Sequence, residues 1–253
     1  MNRLDGKIAI VTGVATGIGQ QTALRFAAEG ATVIGVDIDS DGANATAERA
    51  KAAGGSMTVI APVNLFDEHE TSACIKSIGD ERGYFDVLVN AAAIGRMAPL
   101  DVMTAKDFRD CIVGEVDVVF FACRAAWPYL KAKGGSIVNF SSVAAHMAVP
   151  ALPAIAHTAG KGAVLAMTRQ IAMEGAPFNI RANTIAPGCI VTANMEAALD
   201  GLPGFRESVE RLTMLDRLGR PDDIASGCLF LASDDASFIT GTDITIDGGM
   251  TAW

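Results

Sequence analysis

Several things are scarce in this chain, and each scarcity excludes a class of protein. Its 253 residues include five cysteines, Cys74, Cys111, Cys123, Cys189 and Cys228. No two form a CxxC pair and none has zinc-site spacing, so no metal site is expected. An odd count rules out a complete disulfide framework, and buried, reduced thiols are expected instead. No apolar run reaches membrane-spanning length without a charge or a turn residue. The opening MNRLDGKIAIVTG lacks the layout of a signal peptide, which points to a cytoplasmic location. Basic residues are also short: 20 Lys and Arg against 29 Asp and Glu leave a net charge of −9. Such a surface repels phosphate, so neither nucleic acid nor an anionic membrane is an expected partner. Aromatics make up 6% of the chain, with only two tyrosines, Tyr84 and Tyr129.

What is abundant is Ala, Val, Ile and Leu. Half of the residues are hydrophobic and 19% charged, enough apolar material for a sizeable core and for strands buried on both faces. Short β-branched runs alternate with longer Ala-rich stretches of helical period. Strands are predicted at Lys7–Thr12, Ala31–Ile38, Met57–Val63, Asp86–Ala92, Ser136–Ser142, Ile180–Ala186 and Thr242–Ile246. Helices are predicted at Ile18–Glu29, Asp41–Ala53, Asp67–Ile78, Ala105–Leu130 with a bend near Gly114, Thr158–Glu174 and Pro221–Ala232. Repeated βαβ units imply an α/β fold, a doubly wound Rossmann-type parallel sheet with right-handed crossovers. No Pro/Ser-rich linker divides the chain, so residues 1–253 are read as one domain. The rhythm breaks at Val191–Arg217, after a strand. Ligands of such sheets bind beyond the carboxyl ends of strands, which makes this stretch a candidate substrate lid.

Between the first strand and first helix lies Thr12-Gly13-Val14-Ala15-Thr16-Gly17-Ile18-Gly19. Glycines here permit a tight turn and let backbone N–H groups approach a pyrophosphate at a helix N-terminus. The second strand then ends on Asp37, eighteen residues after Gly19. A carboxylate at that place accepts hydrogen bonds from ribose hydroxyls and repels a 2′-phosphate. No Lys or Arg lies nearby in the sequence to offset it, so the expected cofactor is NAD rather than NADP.

Taken together, these motifs resemble the short-chain dehydrogenase/reductase family over nearly the whole chain. Thr12–Gly19 is similar to the family's TGxxxGxG pattern, which implies cofactor contacts from Gly13, Thr16, Gly17, Ile18 and Gly19, joined by Asp37 and Ile38. Asn64-Leu65-Phe66-Asp67 looks like its adenine-contacting segment. Asn90-Ala91-Ala92-Ala93 resembles its NNAG motif, matching at Asn90 and Ala92. Asn183–Gly188 and Thr192 look like the segment that holds the nicotinamide, giving Pro187, Gly188, Ile190 and Thr192 as contacts. Gly219-Arg220-Pro221 and Thr240-Gly241 with Asp247-Gly248-Gly249 are similar to its C-terminal pattern. The resemblance further implies a seven-stranded sheet. It also implies a homotetramer or homodimer packed through Ala105–Leu130, Thr158–Glu174 and the apolar end Met250–Trp253.

Ser142 and Lys161 fall where the family carries its catalytic serine and lysine. The position four residues before the lysine, where the family has a proton-transferring tyrosine, is His157. The place of its relay asparagine falls on Glu115, and the Ser142-to-His157 spacing is two residues longer than usual. Three readings follow. His157 replaces the tyrosine as general acid/base, with Glu115 orienting it or pairing with Lys161. Alternatively Ser142, His157 and Glu115 serve a hydrolase or lyase. In the third, the chain binds NAD and catalyses little. The first gives a NAD-dependent oxidoreductase acting on an alcohol or carbonyl. Met195, Met214 and Met250, with few charges in Val191–Leu202, point to a moderately apolar small-molecule substrate. Cys189 is read as a core residue and His146 as a loop residue.

Overall fold

Seven parallel strands run in the order β3-β2-β1-β4-β5-β6-β7. The computed structural model describes residues 2–149, 152–193, 195, 196, 199 and 204–253. The elements are β1 (Ile8–Thr12), α1 (Gly17–Ala28), β2 (Thr32–Val36), α2 (Ser40–Ala52), β3 (Ser56–Ile60), α3 (Glu68–Arg82) and β4 (Val87–Asn90). They continue with α4 (Ala105–Ile112), α5 (Val118–Lys133), β5 (Gly135–Phe140), α6 (Ile155–Gly175) and β6 (Ile180–Pro187). The last are α7 (Phe205–Glu210), α8 (Pro221–Ala232) and β7 (Asp243–Ile246).

Helices cover both faces of the sheet, which is why the central strands are apolar at nearly every position. One core layer joins Val11, Val33, Val89 and Val138 to Phe26 of α1 and Ile224 and Leu231 of α8. The other joins Ile10, Ile34, Leu88 and Ile137 to Ile75, Val119, Leu130 and Val164 from α3, α5 and α6. Side-chain caps set several helix starts: Asp39, Asp67 and Thr104 accept from the amides of Gly42, Glu70 and Asp107, satisfying donors that the first turn leaves free.

The strand order reverses direction between β1 and β4, and the carboxyl ends of both face the cleft that opens at such a point. Two departures from expectation bear on that cleft. The long helix expected over Ala105–Leu130 is interrupted by a π-helical turn at Val113–Asp117 and then runs on to Lys133. The π turn includes Gly114, near which a bend is expected. Helix α6 begins at Ile155 rather than Thr158, so His157 sits inside its first turn. The candidate lid is described only in part: 194, 197, 198 and 200–203 lie outside the described residues, as do 150 and 151 of the β5–α6 loop. What is described has a small core of its own, Leu199, Phe205, Val209 and Leu218, with Leu152 packed against it.

Candidate active site

Two adjoining hollows of about 450 Å³ each lie beyond β1, β4 and β5, and share Ile18, Ala91, Ala92, Ala93 and Thr192 as walls. The first holds the glycine turn. Gly13 has φ +71°, and a Cβ there would stand 2.8 Å from the amide nitrogen of Ala92, so only glycine lets β1 turn this close to the end of β4. Thr16 caps α1 in extended geometry without a side-chain bond to the helix amides, leaving the N–H groups of that end for an anion. Gly13, Thr16, Gly17, Ile18, Gly19, Asp37, Ile38 and Leu65 all line this hollow.

Asp37 is buried and held from both sides. Its Oδ2 accepts from the Ala15 amide at 2.8 Å and its Oδ1 from the Asp39 amide at 2.9 Å. Each carboxylate oxygen keeps a further acceptor site, and no Lys or Arg is among the described residues lining the hollow. Asn64 is placed differently. Its Oδ1 accepts from the Phe66 amide at 3.2 Å, and Val63, Leu65 and Phe66 rather than Asn64 form the wall.

The second hollow brings together Ser142, Glu115 and the pair His157 and Lys161, from three separate stretches of the sequence. Glu115 arrives through the π turn. That wide turn releases the Gly114 carbonyl, which accepts from the Ile94 amide at 3.0 Å, and ties the segment after β4 to the helix. Glu115 is 2% exposed, and its Oε1 lies 2.5 Å from Nδ1 of His157. When Glu115 is ionised its oxygens only accept, so Nδ1 is the donor across this contact, and the matching neutral tautomer carries its lone pair on Nε2. Gly95 and Gly160 flank the carboxylate. A Cβ at Gly95 would stand 2.9 Å from Oε1, and one at Gly160 would run into Oε2. Oε2 itself is buried without a hydrogen-bond partner among the described residues.

Lys161 is buried one helical turn after His157, and its Nζ donates to the Phe140 carbonyl at 3.2 Å. Burial pulls its pKa below the ordinary lysine value, and the negative charge of Glu115 works against that fall. Ser142 Oγ accepts from the Ala144 amide at 3.1 Å, which leaves its O–H free to donate. Asn90 lines the same hollow and is locked from behind, donating to Asn139 Oδ1 at 2.8 Å. Ala91, Pro187, Gly188, Ile190 and Thr192 complete the side nearest the glycine turn.

Not every residue singled out in the sequence reaches the site. Of the three methionines only Met195 lines the hollow. Met250 is buried elsewhere and Met214 is exposed, packed near Gly249. Burial pushes the Cys189 thiol up to about 11, and the side chain packs with the lid core. Both tyrosines are remote: Tyr129 donates to Asp80 at 2.6 Å, and the Tyr84 ring lies under Lys133. Met97, Leu152 and Phe205 line the cavity without having been singled out. Met97 and Leu152 sit in irregular segments and Phe205 opens the six-residue α7, so no hydrophobic period is long enough to mark which side chain turns inward.

A Rossmann-type cleft joined to a cavity lined by Ser142, His157, Lys161 and Glu115 fits a nucleotide-dependent oxidoreductase. The comparisons agree. A family model described as enoyl-(acyl carrier protein) reductase matches residues 13–251, and the chain belongs to the short-chain dehydrogenase/reductase family. It is 35% identical over 250 residues to a D-threitol dehydrogenase of Mycolicibacterium smegmatis, covering 98% of this chain and 94% of that one. Among solved structures it resembles a 7α-hydroxysteroid dehydrogenase complexed with NADH and 7-oxo glycochenodeoxycholic acid, with TM-score 0.91 and 34% identity over 98% of this chain and 95% of that one. It also resembles a crystal structure of an Agrobacterium tumefaciens protein with bound NADP, with TM-score 0.90 and 30% identity over 99% of this chain and 98% of that one. The chain is an oxidoreductase with relatives that hold either dinucleotide.

Proposed function

We propose that the chain is a NAD-dependent enzyme interconverting an alcohol and a carbonyl in a small, moderately apolar substrate, with His157 as the proton-transferring group. The observation that carries this reading is the 2.5 Å contact between Nδ1 of His157 and the buried Glu115, inside the cavity that also holds Ser142 and Lys161. The bound dinucleotide supplies the ring that takes or gives the hydride. Ser142 donates its free O–H to the substrate oxygen. In the oxidative direction Nε2 of His157 takes the hydroxyl proton as the carbonyl forms, and in reduction the ring returns it. Glu115 fixes the ring orientation and stabilises the imidazolium, the part an acid plays behind histidine in hydrolytic triads. Lys161 spends one of its three donors on Phe140, leaving two for ribose hydroxyls.

Asp37 supports the choice of NAD, because a fixed, unpaired carboxylate in the cleft opposes a 2′-phosphate. Met97, Leu152, Met195 and Phe205 support an apolar substrate. The stretch 191–217 serves as the lid through its own small core. Exposed Phe120 on α5, Met173 on α6 and Trp253 at the chain end support assembly into a homo-oligomer.

The test is His157→Ala, assayed by absorbance of the reduced dinucleotide over a panel of secondary alcohols and ketones. Turnover falls by roughly 10²–10⁴-fold while dinucleotide binding, read by calorimetry, is kept. Full turnover by the variant refutes the assignment. A wild-type protein that leaves the absorbance flat across the panel refutes the reaction.

A further inference from the structure

The turn that carries Ser142 into the cavity is gripped at both ends by one acid that stands outside it. Asp243 opens β7, and its side chain is 6% exposed. Strand β7 pairs with β6 and lies two places from β5, yet both carboxylate oxygens serve the segment that leaves β5. Oδ1 accepts from the Ser141 hydroxyl at 2.7 Å, and Oδ2 lies 2.5 Å from Nε2 of His146. Nε2 donates to an ionised carboxylate from the charged ring and equally from the neutral ring with its proton there, so the contact serves either charge state of His146. A buried carboxylate is costly unless its oxygens are bonded. Here His146 is the one ion-pair partner among the described residues, so the charge is stabilised only where it holds this turn.

Between the two anchors the chain closes on itself. Ser142 caps the 3₁₀ turn Val143–Ala145, taking the Ala144 amide on its Oγ at 3.1 Å and the Ala145 amide on its carbonyl at 2.9 Å. The Val143 carbonyl accepts from the amides of His146 and Met147 at 2.9 and 3.0 Å. These bonds fix the shape of the turn but not its place on the sheet. Ser141 ties the near end to β6, its amide donating to the Ile185 carbonyl at 2.9 Å. With that end alone held, the turn pivots about the end of β5. Packing of the buried Val143 and Ala144 resists large excursions, and the second anchor, His146 on Asp243, removes the small rotation that is left.

We propose, on the reading of the reaction given above, that Asp243 is a positioning residue for Ser142, clamping both ends of its turn through Ser141 and His146. Neither Asp243 nor His146 lines the reaction cavity, so the pair acts through the serine and not on the substrate. Ser142 has a single O–H to aim at the substrate oxygen, and a misplacement of about 1 Å at such a group lowers the rate on the order of 10²-fold.

The experiment is a double-mutant cycle on the full chain, assayed with oxidised dinucleotide and a secondary alcohol. Asp243→Ala lowers kcat/KM for the alcohol roughly 10- to 100-fold and leaves the calorimetric Kd of the dinucleotide unchanged. Made on top of Ser142→Ala, the same change alters kcat/KM by less than about twofold, because no aimed hydroxyl is left to misplace. Asp243→Asn, whose amide accepts from Ser141 and donates to His146, stays within about threefold of the parent. Any fall in melting temperature is the same in both backgrounds, which separates stability from positioning. Should Asp243→Ala fail to fold, His146→Ala replaces it in the cycle, removing one anchor from a half-buried side chain for a fall of roughly three- to tenfold. Equal falls of kcat/KM in both backgrounds, or an Asp243→Asn protein as slow as Asp243→Ala, overturn the proposal. Hydrogen exchange tests the clamp without turnover: peptides covering 141–147 exchange roughly tenfold faster in the Asp243→Ala or His146→Ala protein, while those of β1 and α1 keep the parent's rate. Unchanged exchange across 141–147 also overturns it. A wild type that shows this exchange pattern but no redox turnover sinks the reaction and leaves the clamp standing.

Discussion

Replacing Gly160 by alanine sets two physical effects against each other. Gly160 lies inside α6, where alanine is favoured over glycine by about 1 kcal/mol. With room for the methyl group, the variant would therefore be more stable, by about 2–4 °C in a protein of this size. There is no such room. All three atoms nearest the added Cβ belong to Glu115, with Oε2 in overlap, Cβ at 3.3 Å and Cδ at 3.5 Å. The carboxylate must move, and the move breaks its hydrogen bond to His157. A hydrogen bond to a charged group contributes roughly 1.5–3 kcal/mol. The loss exceeds the helical gain by about 1 kcal/mol, so the melting temperature falls by about 2–4 °C. Turnover falls more, on the order of 10²-fold, because the ring loses its support. The same substitution made on top of Glu115→Ala reverses sign. The obstructing carboxylate is gone and the helical gain returns, trimmed by the 3.3 Å contact with the remaining Cβ. Calorimetric melts of the four proteins and their initial rates complete the cycle. If Gly160→Ala alone melts higher than the parent and keeps its rate, the carboxylate does not occupy the place assigned to it.

Three further outcomes follow from the geometry. Asp37→Ala narrows the ratio of kcat/KM for NAD over NADP by tenfold or more, since the carboxylate facing a 2′-phosphate is removed; an unchanged ratio counts against the cofactor assignment. Burial pushes the thiols of Cys74, Cys123 and Cys228 up to about 11, 12 and 12, so the native protein at pH 7.5 reacts with a thiol reagent at a small fraction of the rate seen in denaturant. Asp223 is held below the usual carboxylate range chiefly by Arg217, with help from the Arg220 amide. Its contribution is present above the unfolded carboxyl value near 4 and is lost as pH falls through the lower folded value. Asp223→Asn therefore melts about one to three degrees below the parent at pH 7, a difference reduced for solvent screening, and that gap closes towards pH 3.

The sheet was legible because its signals are local. Val-, Ile- and Ala-rich runs bounded by glycine mark buried strands, and Gly13 with Asp37 marks the switch point of strand order. The pairing of His157 with Glu115 was open in sequence, as Lys161 was an equal candidate partner. The choice depends on a π turn whose extra residue leaves no periodic trace in a stretch as apolar as Ile112–Val119. Asn64 is absent from the wall of the hollow for a related reason: its side chain closes a local turn onto Phe66, and such competition between side chain and backbone is invisible to motif matching. Leu152 and the His146–Asp243 contact were out of reach because nothing in sequence ties a loop after β5 to the first residue of β7.

One widened turn also settles a problem of phase. Successive residues of an α-helix advance by about 100°, so a regular helix from Ala105 to Lys133 allows only one direction for Glu115 once α5 has set its packing. Inserting a residue in the Val113–Asp117 turn uncouples the two halves. Downstream, Val118, Val119, Ala122 and Ala126 stay pressed against the sheet, while upstream the acid is free to look sideways at α6. Shortening the segment by one residue would leave both halves helical and the molecule folded, yet turn the carboxylate roughly a quarter of the way around the axis, out of sight of the imidazole it serves.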